Sequence, residues 1–225
     1  MPNETIADAI ACQARATAWE LMAFSLRYPD AELSAAVASG EWADAAREAT
    51  GALGLVLPAG WGSGLASYVG HDPNALLHVL RAEATRLFVG APEPVASPYE
   101  GVHRAAEDGV QALLFVNPHS MDVERFARAC GLGRPEGTNE PLDHAATECE
   151  LLQYLCMLEC GMAEAPGGLA PAGLPDGSPA AAYGRFLAEH ARAWMPAFAE
   201  AVAAESREPF YRAAAQLLAA MVEAA

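Results

Sequence analysis

Apolar side chains recur at three- and four-residue intervals along most of this chain, the period of helices buried on one face. From Ile6 the stripe runs through Ile10, Ala14, Trp19 and Met22 to Leu26, and Tyr28-Pro29 closes it. Ala31 to Val37 and Trp42 to Leu53 read as two shorter helices split at Gly40. Gly51, Gly54, Pro58, Gly60, Gly62 and Gly64 then break the pattern. Asp72 is placed to cap a helix with Pro73 in its first turn, whose Leu76, Leu77, Leu80 and Leu87 lead to Phe88 before Gly90 stops it.

The stretch from Ala91 to Pro98 holds Pro92, Pro94 and Pro98, each lacking a donor and restricting its predecessor, and so reads as a stiff, extended connection. A helix is expected after Ser120, through Val123, Phe126, Ala127 and Cys130 to Gly131. Another is expected from Pro141 to Gly161. Pro166 to Pro179, rich in glycine and proline, reads as a mobile surface loop. Two last helices span Ala180 to about Glu205, kinked or split at Pro196, and Arg207 to Val222. With no internal repeat and no convincing strand, the expected fold is all-α, a single compact bundle of about nine or ten helices. Its halves would cover about residues 1–132 and 141–225, joined by a hinge at about 133–140.

Composition supports helix: 52 of the 225 residues are alanine and only Ile6 and Ile10 are isoleucines. Without the alanines, roughly 30% of the chain is still larger apolar side chains, enough for a packed core. Thirteen basic residues, all arginine, stand against 29 acidic ones for a net charge of −16. That surface repels nucleic-acid phosphates and anionic lipid, attracts basic peptides, and keeps an alanine-rich chain in solution. No apolar run is long enough for stable membrane insertion, and Glu4 and Asp8 stand where a secretory leader would be basic. Five cysteines without a compact framework argue for a reducing compartment, so the expected location is cytoplasmic.

Cys149, Cys156 and Cys160 lie on one helical stripe within about 40°, but they span roughly 16 Å, too far to share one ion. They read as small hydrophobes of the core. Nucleophile elbows, phosphate loops, dinucleotide fingerprints and metalloprotease motifs are missing, so no catalytic residue, cofactor or metal site is expected. A small metal-dependent enzyme using His144, Glu148, Cys156 or Cys160 is the competing class of function.

Two local patterns stand out. The first is Glu83-Ala84-Thr85-Arg86-Leu87-Phe88-Val89-Gly90, followed after the prolines by Ser97-Pro98-Tyr99-Glu100-Gly101-Val102-His103. The second runs from Glu140-Pro141-Leu142-Asp143-His144 to Leu152. A helix start explains Pro141, which wastes no donor, and Asp143, which meets the positive end of the dipole. It leaves His144 unexplained, because an imidazolium is unfavourable there.

Both patterns resemble those of the TorD/DmsD family of redox-enzyme maturation chaperones, in which E-x-x-x-L-F-x-G leads into P-Y-E-S-V and E-P-x-D-H comes later in the chain. Phe186-Leu187, His190, Trp194, Pro196, Phe198, Phe210-Tyr211 and Leu217 extend the likeness through the C-terminal half. Here Gly101 replaces the usual serine, and Ala84 and Tyr99 stand where some relatives have tryptophan. The resemblance implies a cytoplasmic chaperone, not an enzyme. It would bind the twin-arginine signal peptide, and with it the apo-form, of a molybdenum-cofactor oxidoreductase and hold it from export until the cofactor is inserted. Carried onto this chain, the peptide-binding candidates are Leu87, Phe88, Pro98, Tyr99, Glu100, Glu140, Pro141, Asp143 and His144.

Elementary chemistry agrees with that role. A receptor for paired arginines joined to an apolar stretch needs a hydrophobic groove with carboxylates at one end. Leu87, Phe88 and Tyr99 beside a proline-stiffened wall supply the first, and Glu100, Glu140 and Asp143 are the carboxylates available. A related alternative is a nitrate-reductase-assembly type of chaperone acting on a non-exported redox subunit. The chain is expected to be mainly monomeric, with the 133–140 hinge permitting a minor domain-swapped dimer.

Overall fold

The computed structural model describes residues 2–109, 117–133 and 141–224, with the side chains of residues 2–8 left aside. Ten α-helices succeed one another among the described residues: α1 Pro2–Leu26, α2 Ala31–Ser39, α3 Glu41–Leu53, α4 Pro73–Ala84, α5 Glu100–Glu107, α6 Pro118–Ala129, α7 Ala145–Glu159, α8 Pro179–Phe186, α9 Arg192–Glu205 and α10 Pro209–Ala224. Turns of π-helix, Thr85–Val89 and Leu187–Ala191, prolong α4 and join α8 to α9. The all-α expectation holds. The hinge from residue 134 onward, and Glu140 with it, lies outside the described residues.

Local chemistry starts these helices, α6 at Pro118 rather than after Ser120. Asp30 accepts from the Leu33 N–H at 2.9 Å, Asp72 from those of Asn74 and Ala75, Asn117 from His119 and Ser178 from Ala181. Proline occupies the first turn of α4, α6 and α8, where its missing donor costs nothing.

α1 packs along α7 and also against α3 and α10, while α9 pairs with α10 and with α5. One apolar core therefore runs through both halves of the chain. Trp19, Trp42 and Trp194 are buried in it with Phe186, Phe198, Phe210 and Tyr211. Each indole N–H has an acceptor, including Ser25 Oγ for Trp42 at 2.9 Å and Tyr183 Oη for Trp19 at 3.0 Å.

Four expectations change. The sequence pattern does not show α5, because its start comes directly after the prolines and its eight residues hold few apolar positions. The helix expected from Pro141 begins only at Ala145, because a turn at Leu142 and Asp143 precedes it and His144 is held extended against Tyr99. The loop between Pro166 and Pro179 folds into three single turns of 3-10 helix, with Leu174 only 4% exposed beneath them. Cys160 is not a core thiol but is disulfide-bonded to Cys12 at a sequence separation of 148, so the cysteines do not argue for a reducing compartment. Side-by-side packing of α1 and α7 brings the pair together, which no local spacing reveals. Cys130, Cys149 and Cys156 are free and buried, as small hydrophobes should be.

Candidate functional site

The two sequence patterns meet. Tyr99 and His144 form an isolated antiparallel bridge, in which the Glu100 N–H donates to the Asp143 carbonyl at 2.9 Å and the Ala145 N–H to the Pro98 carbonyl at 2.8 Å. Their rings meet edge to face with centroids 5.2 Å apart. His144 Nδ1 accepts the Ala146 N–H at 3.1 Å and thereby caps α7. That cap requires a neutral ring, and burial lowers the His144 pKa to about 4. The residue that a simple helix start left unexplained is the helix cap itself.

Beneath the bridge lies a buried polar network. Asp143 Oδ2 accepts from the Gly101 N–H at 2.9 Å and the Ser120 hydroxyl at 2.5 Å, and Asn117 Nδ2 donates to the Gly101 carbonyl at 2.7 Å. A Cβ on Gly101 would stand 2.5 Å from Ser120 Oγ and 2.9 Å from Asp143 Oδ2, so glycine is required there by close approach. Glu100, with no exposed surface, places Oε2 2.9 Å from His190 Nδ1 and Oε1 3.7 Å from Arg104. Glu148 Oε2 accepts the Trp194 indole N–H at 3.1 Å. Burial, with the Glu100 charge adding to it, pushes the Glu148 carboxyl well above the ordinary range. Burial raises Asp143 too, against the pull of its Ser120 and Gly101 donors.

Above the network opens a groove of about 830 Å³. It is lined by Phe88 and Val89 of the first π turn, by Val123 and Ala127 of α6, and by Pro141, Leu142, His144, Leu151 and Tyr154. Tyr99, Arg27, Tyr28, Thr147, Glu148 and Glu150 belong to the lining too. Phe88 is backed by Tyr211 and Phe198, with ring centroids at 5.6 and 5.9 Å. Val89 and Tyr28 are 60% and 57% exposed, so the lining continues onto the surface as apolar area.

The candidates thus divide. Phe88, Tyr99, Pro141 and His144 line the groove. Leu87, Pro98, Glu100 and Asp143 are buried behind it, Leu87 through a backbone bond from the Ala96 N–H at 2.8 Å. The carboxylates of Glu100 and Asp143 face the internal network, not solvent, because the Tyr99–His144 bridge turns their side chains under the wall. Missed in the sequence were Arg27, Tyr28, Thr147, Glu150, Leu151 and Tyr154; the last four form an i, i+3, i+4, i+7 stripe that helical spacing could have shown. Three of the four residues named for a metal enzyme are otherwise engaged, His144 as a cap, Glu148 by Trp194 and Cys160 in the disulfide, while Cys156 is a free thiol buried in the core. Among the described residues no group of three or more histidine, cysteine or carboxylate side chains could hold a metal ion.

In this all-α bundle the two motif segments are zipped together beside an apolar groove. A family model described as nitrate reductase delta subunit matches residues 40–200, and the chain belongs to that family, one of redox-enzyme maturation chaperones of the NarJ/TorD type. The matched span takes in both motifs and the whole of the bridge between them. A search of curated proteins finds no match. Among the described residues no helix is long and apolar enough to cross a membrane.

Proposed function

We propose that this chaperone receives, in the groove between Phe88 and Tyr154, the twin-arginine signal peptide of a molybdenum-cofactor oxidoreductase precursor. It then holds the apo-enzyme in the cytoplasm until the cofactor is inserted. The observation that carries this is an apolar groove of about 830 Å³ built from both motifs, on a chain with a net charge of −16. A leader of this kind is disordered when free, so binding it must offset the ordering of each fixed residue. Apolar side chains sinking between Phe88, Tyr99 and Leu151 supply the favourable burial. The rigid wall behind Tyr99 keeps the receptor from adding an ordering cost of its own. The acidic surface speeds the approach of a basic segment and makes capture salt-dependent. Phe88, Tyr99, Pro141 and His144 touch the peptide, whereas Leu87, Pro98, Glu100 and Asp143 position them.

The family's description favours one second reading, a client subunit of nitrate-reductase type that is not exported. Titration of fluorescent peptides separates the two. A twin-arginine leader should bind more tightly than the same peptide with both arginines changed to glutamine. Binding of an arginine-free client terminus at least as tight would favour the non-exported subunit. Failure of every such peptide to bind would remove the groove from the mechanism.

A further inference from the structure

Arg27, at the end of α1, and Glu150, in the second turn of α7, face each other at the edge of the groove and both line it. Arg27 Nη1 stands 3.9 Å from Glu150 Oε1, and the side chains are 51% and 48% exposed. That separation is too long for a hydrogen bond, so both groups keep much of their hydration and the pair is weak. The Arg27 guanidinium also lies 5.5 Å from the centre of the Phe24 ring, a resting place that does not need Glu150. Of the two carboxylates lining the groove among the described residues, Glu148 is buried and bonded to Trp194, whereas Glu150 is open to solvent. A guanidinium arriving in the groove would have to desolvate fully to reach the first and could meet the second with its hydration partly intact.

We propose that Glu150 is the carboxylate that reads an incoming arginine, and that Arg27 is a built-in stand-in which occupies Glu150 until the peptide displaces it. The proposal rests on the peptide-binding function of the groove and adds to it a recognition residue and an autoinhibitory contact. The free chain already shows a guanidinium beside this carboxylate, which is the charge complementarity the occupant must have. Because the internal pair is loose, a peptide that brings both an arginine and an apolar anchor displaces it easily. A peptide bringing charge alone has no burial to add and competes with a tethered rival at high effective concentration. Arg27 thus biases the groove toward segments that combine the two features.

The test is titration of a labelled twin-arginine leader, and of its arginine-to-glutamine version, into wild type, Arg27→Gln, Glu150→Gln and the double variant at low and high salt. At low salt Arg27→Gln should bind the arginine leader about 1.5- to 5-fold more tightly, and Glu150→Gln should bind it more weakly by a similar factor. In the Glu150→Gln background, Arg27→Gln should bring no gain, since the stand-in then has nothing to occupy. All differences should vanish with the arginine-free peptide and at about 1 M salt. A gain that persists without Glu150, or with the arginine-free peptide, would overturn the stand-in role. Unchanged affinity in every variant, with wild type still binding the leader, would overturn the proposal and leave the groove's function standing. Loss of all binding by wild type would remove both.

Discussion

Tyr99 and His144 are paired backbone to backbone and ring to ring, so the end of the proline connection and the start of α7 move as one unit. The same two residues face the groove, and the network beneath them fixes their orientation. If the groove receives a peptide as proposed, variants at this point separate its recognition from the stability of the fold by what they change.

His144 should make the protein acid-sensitive. Its pKa is held at about 4, below its ordinary 6.5, by burial. Between those values the unfolded chain binds a proton that the folded chain refuses, so stability falls as pH drops from about 6.5 to about 4. His144→Asn keeps a capping oxygen but has nothing to titrate. Urea unfolding across that window should show the variant flatter, the two profiles diverging by up to about 3 kcal/mol. Parallel profiles would mean that His144 titrates normally in the fold.

Asp143 and Gly101 should act on stability more than on charge recognition. Asp143→Ala leaves the Gly101 N–H and the Ser120 hydroxyl without their acceptor, at a cost of about 1–3 kcal/mol. Gly101→Ala forces a methyl into Ser120 Oγ and Asp143 Oδ2 and should cost about 1–3 kcal/mol. Adding Ser120→Ala to Gly101→Ala should cost less than the sum of the single changes, since it removes the nearest clashing atom. Denaturant melts measure this; strict additivity would contradict the close approach. Asp143→Asn should leave the salt dependence of peptide affinity unaltered, and a loss of that dependence would make Asp143 an arginine partner after all.

Glu148 should destabilise the protein as pH rises. Its folded pKa lies well above the ordinary 4.5, chiefly through burial, so the unfolded chain loses the proton first and stability declines upward from about pH 4.5 until Glu148 ionises. Glu148→Gln keeps an acceptor for the Trp194 N–H and removes the charge. Its melting temperature relative to wild type should therefore climb between pH 5 and pH 8. An equal offset at both values would show that Glu148 ionises freely in the fold.

Most of the helices were legible because each is a local event: Asp30, Asp72 and Ser178 cap the helices that begin after them, and stripes such as Trp19, Met22 and Leu26 fix the buried face. Both motifs were legible too, and so were Phe88, Tyr99, Pro141 and His144 as groove residues. The features that were not legible depend on contacts distant in sequence. The late start of α7 is due to pairing with Tyr99, and the inward turn of Glu100 and Asp143 is due to His190, Ser120 and Gly101. The Cys12–Cys160 bond results from the packing of α1 on α7. In each case the sequence displays the residue types but not the partner.

The Cys12–Cys160 bond should contribute measurably to stability. It closes a loop spanning a sequence separation of 148, and opening it returns that freedom to the unfolded chain. Reduction, or Cys12→Ser, should lower stability by about 2–4 kcal/mol and the melting temperature by several degrees. Melts with and without reductant, with thiols counted by alkylation, measure it. Identical melts, with two additional thiols labelled after reduction, would mean that α1 and α7 hold together without the bond.

The central claim is that the leader lies in the groove between Phe88 and Tyr154. Its most direct test is photo-crosslinking of a twin-arginine leader carrying a benzophenone side chain in its apolar stretch, with the attached residues located by mass spectrometry. Attachment is expected in the groove, at Phe88, Val89, Tyr99, Leu151 or Tyr154, and should be lost when unlabelled leader competes. Competable attachment confined to another face of the bundle would contradict it.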